Sequence, residues 1–443
     1  MTNIFAILEI SICLSMFFLK RNQKLYLLFL SYMLLTLAYI PKVPYATANN
    51  FVSLFFIISE FKRIPSCITA IKKTRLNRIL SVLIISFLIT LLTSPHLWNF
   101  KGFANYFFAE FIFKNFALFY GFFSIRNNLD IKSLLKVTAW GIVIITIAGI
   151  HNYITQRAFF VAELTQGAVG ASALSEGSTG DFYAESDRFR VQSLFVNAFN
   201  YGYVYIPCLL LHIYGFQKGL CSKKVLCLIV LCSIFGVVTC GCRTVLLCFA
   251  ISIFIYLFFA FDIKGRAKIM LILPVLIILS YEFIPIVQDK INDMLTMFDT
   301  NSDYHGSTWQ MRSIQFLTVI SYIQDHWLFG NGYFYFFEDL GWAKGRINAL
   351  DNDLQGLEGA YLNRLLERGI IGLLLYIVLF INIIHLFLKN KATNRKEVAL
   401  GISISSALFS FSTITGELYA PFISFLLIGI AYKVILTNKY NNL

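Results

Sequence analysis

Apolar residues run along most of the chain in blocks separated by short polar breaks, and the blocks approach the roughly 20 residues that cross a hydrocarbon core of about 30 Å. Candidate spans fall at 3–19, 25–40, 46–60, 79–94, 103–124, 134–151, 196–215, 225–241, 244–261, 268–286, 369–388, 398–414 and 420–436. The third is short and contains Asn49 and Asn50. A version with twelve spans, in which this segment is interfacial or re-entrant, therefore stays open. The alternation with period two that an outer-membrane barrel needs is missing from runs such as 79–92 and 225–238. The pattern predicts an all-α, polytopic integral membrane protein with about 12–13 transmembrane helices.

Two polar intervals interrupt it, 152–195 and 288–368, and divide the chain into helices 1–151, 196–287 and 369–443. The second interval is too long to be a plain connector, so it is expected to carry function or a small fold of its own. Within 307–324, Ile314, Leu317, Ile320 and Ile323 lay an apolar stripe along a helix, with Arg312 near its start. That helix should end around Asp325, because Gly330 and Gly332 then allow a tight turn. A second helix is expected from near Gly356 through Glu367, Arg368 and Gly369 into the run 370–386. The first interval is rich in glycine and serine and ends in Asp187-Arg188-Phe189-Arg190. Arg243 stands between two apolar runs, beside Gly241. Glu110 and Lys114, four apart in one predicted span, suit an ion pair along an α-helix. A bundle-facing site touching substrate is the other reading of this pair.

Composition agrees: 58% of the 443 residues are hydrophobic and 14% charged, with a mean hydropathy of +0.69. This excludes an ordinary soluble protein. The net charge of +13 gathers in one set of short loops, 20–24, 63–78, 126–136, 218–224, 264–268 and 389–396, while the two long intervals are net acidic. That distribution follows the positive-inside rule and argues against a nucleic-acid partner. It places the basic loops in the cytoplasm and the long intervals on the exported face. Of nine cysteines none falls in either long interval, so no disulfide framework is expected, and Cys240 and Cys242 lack zinc-site spacing. His96, His151, His212 and His385 read as packing or interface residues. No metal or other cofactor is implied, and the first apolar run lacks the charged leader of a cleavable signal.

Four stretches, taken in order, carry a resemblance: Arg188 to Gly202 with Asn200, then Cys242-Arg243-Thr244, then Arg312 followed by Asp325 to Gly332, then Tyr361-Leu362 through Glu367-Arg368-Gly369 to Gly372. The C-terminal part of the chain resembles the O-antigen polymerase and ligase superfamily. The resemblance implies a glycosyltransferase of the bacterial inner membrane, independent of metal, with its site facing the periplasm or exterior. The donor implied is a glycan on polyprenyl diphosphate, because nucleotide sugars are absent outside the cytoplasm. Membrane lipid is the surroundings, and a chain-length regulator and a flippase are partners by analogy. Arg188, Arg190, Arg243 and Arg312 are the expected diphosphate ligands, since a planar guanidinium gives paired charge-assisted bonds to phosphate oxygens. Arg312 and Glu358 are the expected catalytic residues. Glu358 stands where the family carries a histidine, and Gly359 replaces its asparagine. The missing histidine favours a polymerase over a ligase. A lipid-linked oligosaccharide flippase is the non-enzyme alternative.

Overall fold

The computed structural model describes residues 2–35, 48–125, 127–157, 190–195, 197–283, 285, 288, 291–292, 309–340, 354, 357, 359–390, 394–415 and 421–441. Among the described residues there are helices and no strand. They are α1 (Thr2–Ser15), α2 (Arg21–Leu34), α3 (Ala48–Glu60), α4 (Ile64–Lys72), α5 (Leu76–Thr93), α6 (Phe100–Ala104), a π-helix (Asn105–Asn115), α7 (Ala117–Ser124) and α8 (Asn128–Thr155). Then follow α9 (Ala198–Gln217), α10 (Lys223–Thr239), α11 (Arg243–Ala260), α12 (Ile263–Phe283), α13 (Trp309–Ile323), α14 (Ala360–Leu388), α15 (Arg395–Thr415) and α16 (Pro421–Asn441). Among the described residues five helices are long and apolar enough to cross a membrane: α5, Leu129–Thr155 within α8, α11, α14 and α15. The chain is an all-α, polytopic membrane protein. The other helices sit at the remaining predicted positions, except α4, which lies in the stretch 63–78 read as a basic loop; α3, at 13 residues, is short for a crossing.

The centre of the bundle is α9 and α15, packed on each other and on α11. α9 buries Tyr201, Tyr203 and Tyr205 completely. Their hydroxyls are matched inside the core: Tyr203 pairs with Ser424 at 2.8 Å and Tyr205 with Thr146 at 3.0 Å. α7 lies against α16 because Gly121 meets the Leu426 carbonyl and Gly429 meets the Leu118 carbonyl, positions where any Cβ would collide with backbone. Small residues let helix backbones approach closely in a medium that supplies little hydrophobic drive between them.

The predicted span 103–124 is not one helix. It breaks into α6, the π-helix and α7, and in the π segment neighbours along a face shift from i+4 toward i+5. The geometry assumed for a Glu110–Lys114 pair in an α-helix therefore does not hold there. The second long interval builds its own small core, in which Val319, Ile323, Phe336, Leu354 and Leu357 close over Leu362, Leu365 and Leu366 of α14. Of the apolar stripe of α13, only Ile323 is buried. Gln315, Thr318, Val319 and Ile323 point inward, while Ile314, Leu317 and Ile320 stay exposed. In a bilayer-embedded chain an exposed apolar stripe has lipid available to it, so periodicity identifies the helix without saying which face is inside.

The charged groups sort into two ends. At one, Glu60 takes Lys24 (2.8 Å), Arg63 (3.1 Å) and Arg21 (3.7 Å). Asn22 donates to Asp130 at 2.8 Å, and Lys218 pairs with Glu397 at 2.6 Å. All of these groups lie in or beside loops that the charge pattern assigned to one side. At the other end, 94–96 meets 333–339: the Tyr333 N–H donates to Ser94 Oγ at 2.8 Å, and His96 Nε2 pairs with Asp339 at 2.7 Å. His96 is thus the interface residue expected of it. His212 is buried between the Cys208 and Leu135 carbonyls.

Candidate functional site

Two of the expected arginines lie at the turn between α10 and α11. α10 ends at Thr239, Gly241 takes φ +65°, and Arg243 is the first residue of α11. The stretch after Arg190 is buried: its Val191 N–H donates to the Thr239 carbonyl at 3.1 Å, and it then turns, Phe195 N–H donating to the Gln192 carbonyl at 3.0 Å. Ser193 then donates to the Ile145 carbonyl at 2.6 Å. Irregular backbone of this kind is tolerated at membrane depth only where protein encloses it. The Arg190 side chain lies over Gly241, so close that a Cβ there would stand 3.1 Å from Arg190 Cγ. Arg190 and Arg243 therefore flank one turn, and the N-terminal dipole of α11 adds to the attraction for an anion at Arg243.

A series of contacts ties this turn to the start of α14. Gly202 packs against Cys240 and Val245, Tyr203 stacks with Phe411 at 4.3 Å, and Gly359 sits against the Thr413 carbonyl. Gly359 is thus at the same end of α15 as the arginine pair. Glu358 and Arg188 lie outside the described residues. α14 begins at Ala360 rather than near Gly356, with Gly359 as its cap. Arg312 sits on α13, which packs against α14, and donates from Nη1 to Gln315 Oε1 at 3.0 Å.

A second arginine group, missed in the sequence, is built into the bundle on α14. Arg368 Nη2 donates to Glu110 Oε1 at 2.7 Å, and Arg364 Nη2 lies 3.6 Å from the same oxygen. The Arg368 guanidinium is held between two rings, 5.2 Å from the centre of Tyr106 and 5.3 Å from that of Tyr333. Arg364 stands 4.6 Å over Tyr376. Glu367, also buried, accepts the Phe334 N–H at 3.1 Å. Burial, followed by the Glu110 and Glu367 carboxylates, pushes the Tyr333 hydroxyl well above its ordinary range, so it stays a neutral phenol. Single buried charges in a span cost about 2.5–3.5 kcal/mol each on insertion scales; here Glu110 and the arginines offset one another.

The glycines of the turn and of α14 form a clasp around this group. α14 is kinked at Gly369, which takes φ 62° and ψ −165°. Into the kink fits the turn 327–332. Asn331 and Gly332 N–H donate to the Leu366 and Glu367 carbonyls at 3.0 and 2.9 Å, and Ile370 and Ile371 N–H donate to the Trp327 and Leu328 carbonyls at 3.0 and 3.1 Å. Gly330 and Gly369 meet backbone to backbone: a Cβ on Gly330 would stand 2.5 Å from Gly369 N, and one on Gly369 would stand 2.5 Å from Leu328 C and O. Four backbone groups beside the kink are thus taken by the loop, which holds the loop against this stretch of α14.

Residues 228–377 match the O-antigen ligase family. The match supports the O-antigen polymerase and ligase superfamily. The matched segment contains α11, α13, the clasp and the first half of α14, and with them Arg243, Arg312, Arg364 and Arg368. It leaves out Arg190 and Glu110, which the fold brings to the same segment from the N-terminal half. Members of the superfamily are glycosyltransferase-like enzymes that act on lipid-linked glycans within the membrane. No curated protein gives a significant match to the chain. Among the described residues no cluster of His, Cys, Asp and Glu has the geometry to hold a metal ion.

Arg364 and Arg368 were visible as letters in the helix that leads into the membrane. Their partner was not, because Glu110 is 258 residues away from Arg368 in sequence. The one available signal was a carboxylate inside an apolar span, which needs a cation from somewhere.

Proposed function

We propose that the protein is a polysaccharide polymerase of the O-antigen type, which transfers a growing glycan from its polyprenyl diphosphate onto a second lipid-linked repeat unit at the exported face of the inner membrane. The observation that carries this reading is that the Arg190 side chain lies against Gly241, two residues before Arg243 at the start of α11, at the end of the bundle where Gly359 lies. In this reading the two guanidiniums neutralise the departing diphosphate, with Arg188 and Arg312 as further ligands and no metal required. Glu358, adjoining Gly359, takes the proton of the acceptor hydroxyl as the C–O bond to the diphosphate breaks and the new glycosidic bond forms. The family match carries the description of a ligase, which makes transfer of finished polymer to lipid A core the second reading.

Deletion of the gene separates the two. A missing polymerase leaves a single repeat unit capped on the acceptor, whereas long polymer stranded on the carrier lipid would establish the ligase instead. In the complemented strain Arg243→Ala should reduce chain extension about tenfold to a hundredfold, since each charge-assisted bond to phosphate contributes about 1.5–3 kcal/mol. Normal extension by that variant would remove Arg243 from the site.

A further inference from the structure

The stretch 61–80 holds six lysines and arginines and no acidic residue. Its centre is α4, nine residues long, at the end of the bundle where Glu60 gathers Lys24, Arg63 and Arg21. Ile71 is buried and Ile64 and Cys67 are half-buried, at the spacing of one helix face, so this side of α4 lies against the protein. Arg21 Nη2 reaches that side, 3.8 Å from Cys67 Sγ. On the rest of α4 Pro65, Ser66, Ile68, Thr69 and Lys72 are exposed. Two exposed groups here are large and apolar: Ile68 at 43% and, where the chain enters α4, Phe61 at 70%. Around them stand Lys62, Lys72, Lys73, Arg75 and Arg78. Among the described residues none of these five side chains pairs with a carboxylate or donates a hydrogen bond, and Glu60 is already shared by three other cations.

Uncompensated cations beside exposed phenylalanine and isoleucine call for a partner that is anionic and apolar at once. A dissolved anion would meet the charges and leave the apolar groups in water. A phospholipid layer meets both, with phosphates at the height of the lysines and arginines and acyl chains beneath them. The position suits such a layer: α4 leads into α5, which is long and apolar enough to cross the membrane from Leu76, so α4 and the turn after it stand where headgroups are. We propose that α4 and the α4–α5 turn form an interfacial site for anionic phospholipid, in which Phe61 and Ile68 enter the acyl boundary and Lys62, Lys72, Lys73, Arg75 and Arg78 hold the headgroups. This site is separate from both arginine groups described above, and it serves a polymerase and a ligase alike.

With Cys67, Cys221 and Cys227 replaced by serine, Ile68→Cys carries a fluorescent maleimide in the full chain. The labelled protein is reconstituted in phosphatidylcholine vesicles that contain a small fraction of either phosphatidylglycerol or phosphatidylcholine with brominated acyl chains. Brominated phosphatidylglycerol should quench the dye at least about fivefold more steeply per mole fraction, the preference that one cation near the surface contributes. Raising the salt concentration should lower this ratio, which tests the charge contribution without any further substitution. With Lys72→Gln, Lys73→Gln, Arg75→Gln and Arg78→Gln combined, the ratio should drop toward one while brominated phosphatidylcholine still quenches, the sign that the helix remains folded and seated. Removing as many charges elsewhere, by Lys223→Gln, Lys224→Gln, Lys264→Gln and Lys268→Gln, should leave the ratio unchanged. An equal drop in that second variant would make the preference a property of total charge and overturn the site. A ratio near one before any lysine or arginine is replaced overturns it too. A dye that neither brominated lipid quenches would place α4 in water, facing a soluble acidic partner instead.

Discussion

Gly330 and Gly369 meet with no room for a methyl group on either, and both have positive φ. Gly330→Ala would place a Cβ 2.5 Å from the Gly369 nitrogen in a conformation that itself costs about 1–3 kcal/mol for other residues. It should lower the unfolding temperature in detergent far more than Ser321→Ala, an exposed position on α13; equal effects would contradict the clasp. The Arg368–Glu110 pair gives a sharper test. Glu110→Gln takes its carboxylate from both Arg368 and Arg364, and Arg368→Gln leaves Glu110 its 3.6 Å contact with Arg364; each should cost up to about 3–5 kcal/mol, and the double variant less than the sum. Additive losses would show that the two groups are not coupled. At this scale the sequence displayed the glycines and arginines in their order, and it displayed Glu110 as a charge inside an apolar run. What it lacked was the pairing between them, because coupling across 258 residues leaves no local periodicity.

Among the elements, the π-helix decides where Glu110 points. An α-helical register through Asn105–Asn115 would turn the carboxylate to another face, so the wide turn is what delivers it to α14. Deleting Phe108, which is 40% exposed, removes one residue from the wide segment together with its ring contacts to Phe107 and Phe113. The coupling between Glu110 and Arg368, measured by the same double-variant cycle, should disappear in that background; a retained coupling would mean that the π register is not needed. α13 shows the complementary lesson. Its apolar spacing correctly gave a helix ending before the tight turn, but of that stripe only Ile323 enters the small core, while Ile314, Leu317 and Ile320 face outward and Gln315 and Thr318 are buried. In water an apolar stripe must be buried; beside lipid both faces have an apolar environment to choose from.

Over the whole molecule, the contacts at the two ends agree with the alternation of basic and acidic loops. Residues 20–24 touch 60–63 and 130, and 217–218 touch 396–397, while 94–96 touch 333–339. The orientation assigned from charge yields a labelling test. With the three cysteines that are not buried, Cys67, Cys221 and Cys227, replaced by serine, Asp325→Cys should react with an impermeant maleimide on intact cells. Lys389→Cys should react only after permeabilisation. The opposite pattern would invert the protein and place the proposed transfer on the wrong face.

The sequence by itself determined most of the helices, the two polar intervals, the tight turn before α14 and the ordered motifs that carry the family resemblance, since each depends on neighbours within a few turns of chain. Tertiary structure alone decided which charges meet: Arg190 beside the turn of Arg243, and Glu110 beneath Arg364 and Arg368. Those meetings depend on how separate helices pack and on where a helix widens or kinks, and the energy that fixes them is spread over contacts between residues hundreds of positions apart.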